Sequence, residues 1–436
     1  MTLFKISKFF VYAALFSVVF VNVQTLFPFI VFKYVFFRSM VLAALVSFLL
    51  GIIFMNTEEM SKFADDAKRR LMSPLVIAVT IFVLAFLLAC LFGFNPAYSF
   101  WSNFERGEGG FQMLNFYIFF LLLTLLFKEK KDWFSLFKVS LIVAIIMIAY
   151  GILAGLGVQG FIGVPLEIGQ RFQGSLGNTA YVGTYLLFSI FYALYLLIDS
   201  RSPRSKIFLL PLIPIFLFFI WLTQTRGPFL GFAAGVAVFL AFLIFRGSRN
   251  AKRAGVVFLI LLITLGTFLY QVRLSPVMQK LALSRLFNIT LDNLSTQSRL
   301  WSWGTAIEGW KERPVFGWGP ENYGRLFDKY FDTRHFIPNQ PSDTWYDRAH
   351  SVFFDYLAET GLVGLLSYLG IFAVLFFWFF KRSSPKGFSL PEQGLNLAMT
   401  TAYLFQGLVI FDILPVYINL FLFLGFVNYK FHGQNI

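Results

Sequence analysis

His350 is a lone imidazole near the end of the longest polar stretch in an otherwise oily sequence, a stretch running from about Gln271 to Ala358. With an ordinary pKa of about 6.5, a neutral imidazole accepts a proton at working pH. Four arginines stand beside it as candidates: Arg226, Arg299, Arg171 and Arg106. A guanidinium presents a planar fork that suits bidentate contact with phosphate. One base and a set of such forks suit proton transfer beside a bound anion. Each residue also has a plainer reading. His350 at a helix start can be a hydrogen-bonded structural residue, and an arginine near the outer boundary can snorkel to lipid headgroups.

The local settings sharpen the choice. Arg226 lies in a very short hairpin, Thr223 to Leu230, with Pro228 placed for the first turn of the next helix and no acidic residue close by in sequence. Arg171 opens a Gly-rich turn that ends at Asn178, a good N-cap for the helix after it. A helix N-terminus near an arginine favours an anion. Arg106 follows Glu105 and precedes Glu108, so a local ion pair accounts for it equally well. Arg299 precedes Leu300, Trp303, Ile307 and Trp310, which share one face of a helix that Ser298 or Thr296 can cap and after which Pro314 follows. The stretch's aromatics, Trp301, Trp318 and Trp345 among them, suit a sugar face or a lipid interface. His335 sits mid-stretch and His432 near the end. No His and carboxylate set has metal-ligand spacing, and the single cysteine, Cys90, permits neither a disulfide within the chain nor a thiolate metal site.

The elements that must position these groups are membrane helices. The 436 residues are 58% hydrophobic and 13% charged, about half the charged share of a soluble domain. Near-continuous apolar runs exclude a barrel, whose strands alternate. Twelve spans are expected, at roughly 9–27, 37–55, 72–93, 111–127, 134–156, 179–198, 207–224, 228–245, 255–271, 359–380, 395–410 and 412–428. With the N-terminus inside, cytoplasmic segments hold 20 basic residues, or 21 with Lys138, and the short outer loops hold five: Lys33, Arg38, Arg106, Arg171 and Arg226. The positive-inside rule therefore puts both termini in the cytoplasm and the long stretch outside. The net charge of +14 is explained by these inner loops and does not indicate nucleic acid. The expected fold is an all-α polytopic membrane protein with one large extracytoplasmic loop containing short helices. It divides into 1–271 with nine spans, the loop at 272–358, and 359–436 with three spans and a short cytoplasmic tail.

Four stretches give the chain a resemblance to the O-antigen ligase and O-antigen polymerase superfamily of bacterial inner membranes. His350-Ser351, nine residues, Gly361, two residues and Gly364 fit the ligase signature. Arg226 to Leu230 is similar to its Arg, three residues, Leu element. Arg171 to Tyr181 and Ser298 to Gly319 resemble two further stretches of the family. The resemblance implies a metal-independent glycosyltransferase without a cofactor, acting at the outer face of the inner membrane. It implies a polyprenyl-pyrophosphate-linked glycan donor and a glycan or glycolipid acceptor hydroxyl, such as a lipid A core sugar. On that basis His350 is the expected base, Arg226 and Arg299 the pyrophosphate ligands, and Arg171 and Arg106 their helpers. Polymerases and protein O-oligosaccharyltransferases share the pattern. A transporter of lipid-linked glycans would instead carry charges at span centres and inverted repeats. The sequence shows no repeat and few such charges.

The orientation is testable with reporter fusions. Alkaline phosphatase, which folds only outside the cytoplasm, is expected to be active when fused after Asp328 and inactive when fused after Arg253. The reverse pattern overturns the topology.

Overall fold

The computed structural model describes residues 2–436 apart from 168, 201, 281–283, 288–291, 337–343, 381–387 and 433–436. The inner-loop cations Arg201, Lys381, Arg382 and Lys386 lie outside the described residues. Among the described residues the regular structure is helical, with no strand. Ten helices among the described residues are long and apolar enough to cross a membrane: Thr2–Val19, Val31–Ile53, Pro74–Phe92, Lys130–Gly155, Thr179–Asp199, Pro203–Leu222, Arg226–Arg246, Arg249–Gln271, Val352–Phe380 and Leu414–Phe431. The two other expected spans are also helical. Gly110–Leu126 is apolar but has 17 residues. Leu390–Gly407 carries Glu392, Gln393, Asn396, Thr400 and Gln406, which lower its mean hydropathy.

The chain forms two compact units. The first comprises Met1–Lys130, Leu291–Leu375 and Gly407–Ile436; the second comprises Lys131–Thr290 and Phe376–Gln406. In the first, Leu414–His432 packs on Gly110–Leu126 through Phe421 and Phe116, whose stacked rings lie 5.8 Å apart. Ser73 caps the Pro74–Phe92 helix and donates to Asn428 at 2.6 Å, so a cap also ties two distant helices. In the second, Thr179–Asp199 packs on Leu212–Leu222, and Tyr192 stacks on Phe137 at 4.6 Å. Asn178 caps its helix as the sequence predicts, accepting from the Ala180 amide.

One expected helix start moves. The Leu294–Glu312 helix is capped by Asn293, ahead of Thr296 and Ser298, so Arg299 stands in its second turn. Its buried face is Ser302, Thr305, Ala306 and Gly309. Small residues there let the Tyr323–Lys329 helix approach closely, with Leu326 against Gly309. The expected apolar stripe lies to the side, where Trp303 stacks on Phe354 at 4.8 Å.

The helix carrying the His350 signature is broken. Gly361 has φ 64° and ψ −166°, a conformation essentially reserved for glycine. The amides of Leu362 and Val363, which would otherwise bond four residues back, donate to Pro314 and Val315 at 2.9 and 3.2 Å. The freed carbonyls of Ala358 and Glu359 accept from Trp318 and Gly319 at 2.9 and 2.8 Å. The Pro314-x-x-Gly317-x-Gly319 stretch and the glycine of the histidine signature are thus two sides of one seam. The four backbone groups freed at the break are thus satisfied by protein, as a break in an apolar helix requires.

Gly361→Ala places a Cβ 2.3 Å from the Val315 carbonyl oxygen and forces a disfavoured φ. It is expected to destabilise the protein by at least about 2 kcal/mol, read as a lowered melting temperature in detergent. Gly370→Ala, where a Cβ meets nothing within 4 Å, is the neutral control. Equal melting of the two variants contradicts the seam.

Candidate active site

His350 occupies a left-handed backbone position, φ 59°, immediately before the Val352–Phe380 helix. The turn is held on both sides. The Ala349 amide donates to Asp355 at 2.6 Å, the Ser351 hydroxyl donates to the Gly407 carbonyl at 3.3 Å, and the Val352 amide donates to the Ile410 carbonyl at 3.0 Å. The imidazole is partly buried, with Tyr346 and Phe411 edge-on at 5.1 and 5.3 Å. Its Nδ1 lies 3.1 Å from the Arg348 carbonyl oxygen. A carbonyl only accepts, so Nδ1 carries the proton and Nε2 presents a lone pair. Burial, helped by the charges of Arg299 and Arg106, pushes the His350 pKa down to about 4. The ring is neutral at physiological pH.

Arg299 belongs to the same cluster. Its Nη1 donates to the carbonyl and hydroxyl of Ser295, both at 2.7 Å, and its Nε donates to the Val409 carbonyl at 3.3 Å. The short segment 407–411 therefore holds Ser351, Val352 and Arg299 and supplies Phe411 to His350. Arg106 reaches the same ring, its guanidinium carbon 5.1 Å from the Phe411 centroid. Arg106 pairs with Asp347 at 2.5 Å, far from it in sequence. Burial pushes the Asp347 carboxyl up, but Arg106 and Arg348 outweigh it and hold it below the usual range.

Behind the histidine lies a buried charge cluster absent from the sequence expectation. Arg348 donates through Nη1 to both oxygens of Glu359, at 3.0 and 2.9 Å, and through Nη2 to Glu321 and, at 3.4 Å, to Glu108. Burial disfavours the Arg348 charge, yet the three carboxylates outweigh it and hold its pKa well above the ordinary value. Burial pushes Glu108 up to about 7. Glu108 also accepts from the Leu414 amide at 3.1 Å, tying the cluster to the segment that supports His350.

The second unit holds the other two predicted arginines. Arg171 donates through Nε to the Thr223 carbonyl at 3.1 Å and through Nη2 to the Thr225 hydroxyl at 2.9 Å. Arg226 is the first residue of its helix, directly after Thr225, and Pro228 falls in the first turn as expected. Gln224, at φ 48°, donates to the carbonyls of Gly169 and Gln170. The Gly-rich turn and the short hairpin thus form one docked pair of loops. The structure brings His350, Arg299 and Arg106 together in one unit, and Arg171 and the Arg226 helix start together in the other.

Residues 211–369 match the O-antigen ligase family model. That segment is similar to O-antigen ligases. That segment contains Arg226, Arg299, His350, Gly361 and the Arg348 cluster except Glu108, whereas Arg106 and Arg171 precede it. Together with the apolar helices, it supports assignment to the O-antigen ligase and polymerase superfamily of membrane glycosyltransferases. No curated protein matches the chain. Among the described residues no group of three or more His, Cys, Asp or Glu side chains is placed to hold a metal ion.

Arg348→Met leaves Glu321 and Glu359 buried without their cation. Removing one partner of such a cluster typically destabilises by about 3–5 kcal/mol. The loss is expected to be smaller at pH 5.5 than at pH 8. Burial already raises the Glu108 pKa of this cluster to about 7, and a carboxyl raised above its unfolded value gives stability that is present at low pH and lost as pH rises through the folded value. Melting curves at the two pH values check this, and a pH-independent loss contradicts it.

Proposed function

We propose that this chain transfers a glycan from a polyprenyl-pyrophosphate carrier to an acceptor hydroxyl, with its site on the extracytoplasmic face of a bacterial inner membrane and its large loop, 272–358, on that side. The observation that carries the reading is the 3.1 Å contact between Nδ1 of His350 and the Arg348 carbonyl oxygen. The Arg348 carbonyl holds the Nδ1 proton, so Nε2 is the available base, and it lies among arginines. His350 takes the acceptor proton as the oxygen attacks the anomeric carbon. Such general-base catalysis is typically worth ~100- to 10,000-fold. Arg299 and Arg226 bind the departing pyrophosphate, which needs charge stabilisation more than protonation. Arg106 and Arg171 assist them.

The depressed basicity of His350 acquires a role in this scheme. Arg299 and Arg106 disfavour its protonated form. A bound diphosphate neutralises those charges, so the imidazole becomes a stronger base when donor is present. With one base and no carboxylate nucleophile assigned, the displacement is single and inverts the anomeric centre. Ligase, polymerase and protein transferase chemistry share this first step; the histidine signature favours ligase.

His350→Ala and Arg226→Ala are expected to reduce glycan transfer by about 100-fold or more while leaving protein level and membrane insertion intact. The measurement is transfer from a synthetic polyprenyl-pyrophosphate glycan by purified protein. In the wild type, kcat/KM, which reports the free protein, is expected to hold to pH values well below 6.5, because the base stays unprotonated down to about 4. The acid limb of kcat should lie higher, because donor raises the His350 pKa. Full activity in either alanine variant, or a product with retained anomeric configuration, refutes the assignment. Movement of carrier-linked glycan across a bilayer without bond cleavage points to a transporter.

A further inference from the structure

A cavity opens beside the first unit's charge cluster and plays no part in the chemistry above. It has a volume of about 600 Å³ and is lined by residues around Tyr98, Glu321 and Trp345. Asp347 and Arg348 form part of its wall, and His350 follows them directly in sequence.

Trp345 is 55% exposed, yet it is fixed. Its indole nitrogen donates to Asp328 at 2.8 Å. Its ring lies against the Cα of Gly324, where a Cβ would come within 2.6 Å of it. A large ring held by a carboxylate at its edge and seated on a glycine is a rigid apolar plate. Tyr98, oriented by the Asn103 amide at 3.2 Å, lines the same cavity. The remaining lining is polar, and the carboxylates Glu105, Glu321, Asp328 and Asp347 outnumber the guanidiniums of Arg325 and Arg348. An excess of carboxylates repels a diphosphate or an anionic headgroup. A polar wall with fixed aromatic plates also differs from a lipid groove. What fits is a ring with one apolar face and many hydroxyls.

We propose that this cavity binds a neutral or amino sugar of the acceptor, stacked on Trp345, with its hydroxyls taken by the surrounding carboxylates and amides. The inference rests on the transferase reading above and adds the place where the acceptor docks. The donor's sugar is anchored instead by its diphosphate at the arginines.

The test uses full-length protein in nanodiscs and does not require turnover. Saturation-transfer NMR is recorded with glucose, galactose, N-acetylglucosamine and glucosamine as probes, and with inorganic pyrophosphate as competitor. At least one sugar is expected to receive saturation, with no displacement by pyrophosphate. The signal should be lost in Trp345→Ala, kept in Trp345→Tyr, which retains an aromatic face, and kept in His350→Ala. In the transfer assay, Trp345→Ala should raise the KM for acceptor about tenfold or more with the KM for donor unchanged. No saturation of any sugar, equal signals with and without the Trp345 ring, displacement by pyrophosphate, or a KM change confined to the donor each overturns the proposal. If Trp345→Ala fails to fold, retained or lost binding in Trp345→Tyr decides it: loss overturns the stacking assignment. Sugar binding that depends on Trp345 in a protein whose His350→Ala variant still transfers glycan upholds the cavity and sinks the transferase assignment of His350.

Discussion

The first unit depends on a guanidinium buried among carboxylates. Arg348 is 7% exposed and bonds to side chains from three separate stretches, at Glu108, Glu321 and Glu359. Desolvating one cation and several acids is unfavourable unless the geometry satisfies each of them. That requirement fixes the loop before Gly110–Leu126, the turn at 319–322 and the start of Val352–Phe380 against one another. The carbonyl of the same residue holds Nδ1 of His350. Side chain and backbone of Arg348 thus do separate work. The first gathers the scaffold; the second selects which nitrogen of the neighbouring imidazole is bare.

Much of this was legible in sequence. Apolar runs gave the helices because lipid leaves the backbone no other way to satisfy its polar groups. Asn178 and Pro228 marked their helix starts correctly, since capping and a fixed φ are local properties. His350, Arg299 and Arg106, which the structure gathers in one unit, stand out in sequence because each is a charge or base that insertion does not explain. The polar helix Leu390–Gly407 was harder, because residues such as Asn396 and Gln406 are buried against protein, and hydropathy scores them as exposed to lipid.

The charge cluster was not legible. Glu108, Glu321, Arg348 and Glu359 are separated by up to 251 residues and follow no period. Arg106 shows the limit clearly: its sequence neighbours Glu105 and Glu108 are acidic, but it bonds Asp347, some 241 residues away. Local charge balance does not predict pairing once the backbone has turned, as it does here through Ser102 at φ 66° and Gly107 at φ 62°. The shift of the Leu294–Glu312 face has a similar origin. Small residues became the contact surface because Leu326 approaches at Gly309, a fact of tertiary packing that the amphipathic pattern does not carry.

The segment 407–411 has a mechanical consequence. Its carbonyls hold the turn of His350 through Ser351 and Val352, and Nε of Arg299, while its phenylalanine touches the rings and cation around them. It works as a jig. Thermal drift of this strip carries base and guanidinium along as a block, so their spacing survives motions that would scatter groups mounted on independent loops. The spacing of imidazole and guanidinium is thereby set by a handful of main-chain oxygens.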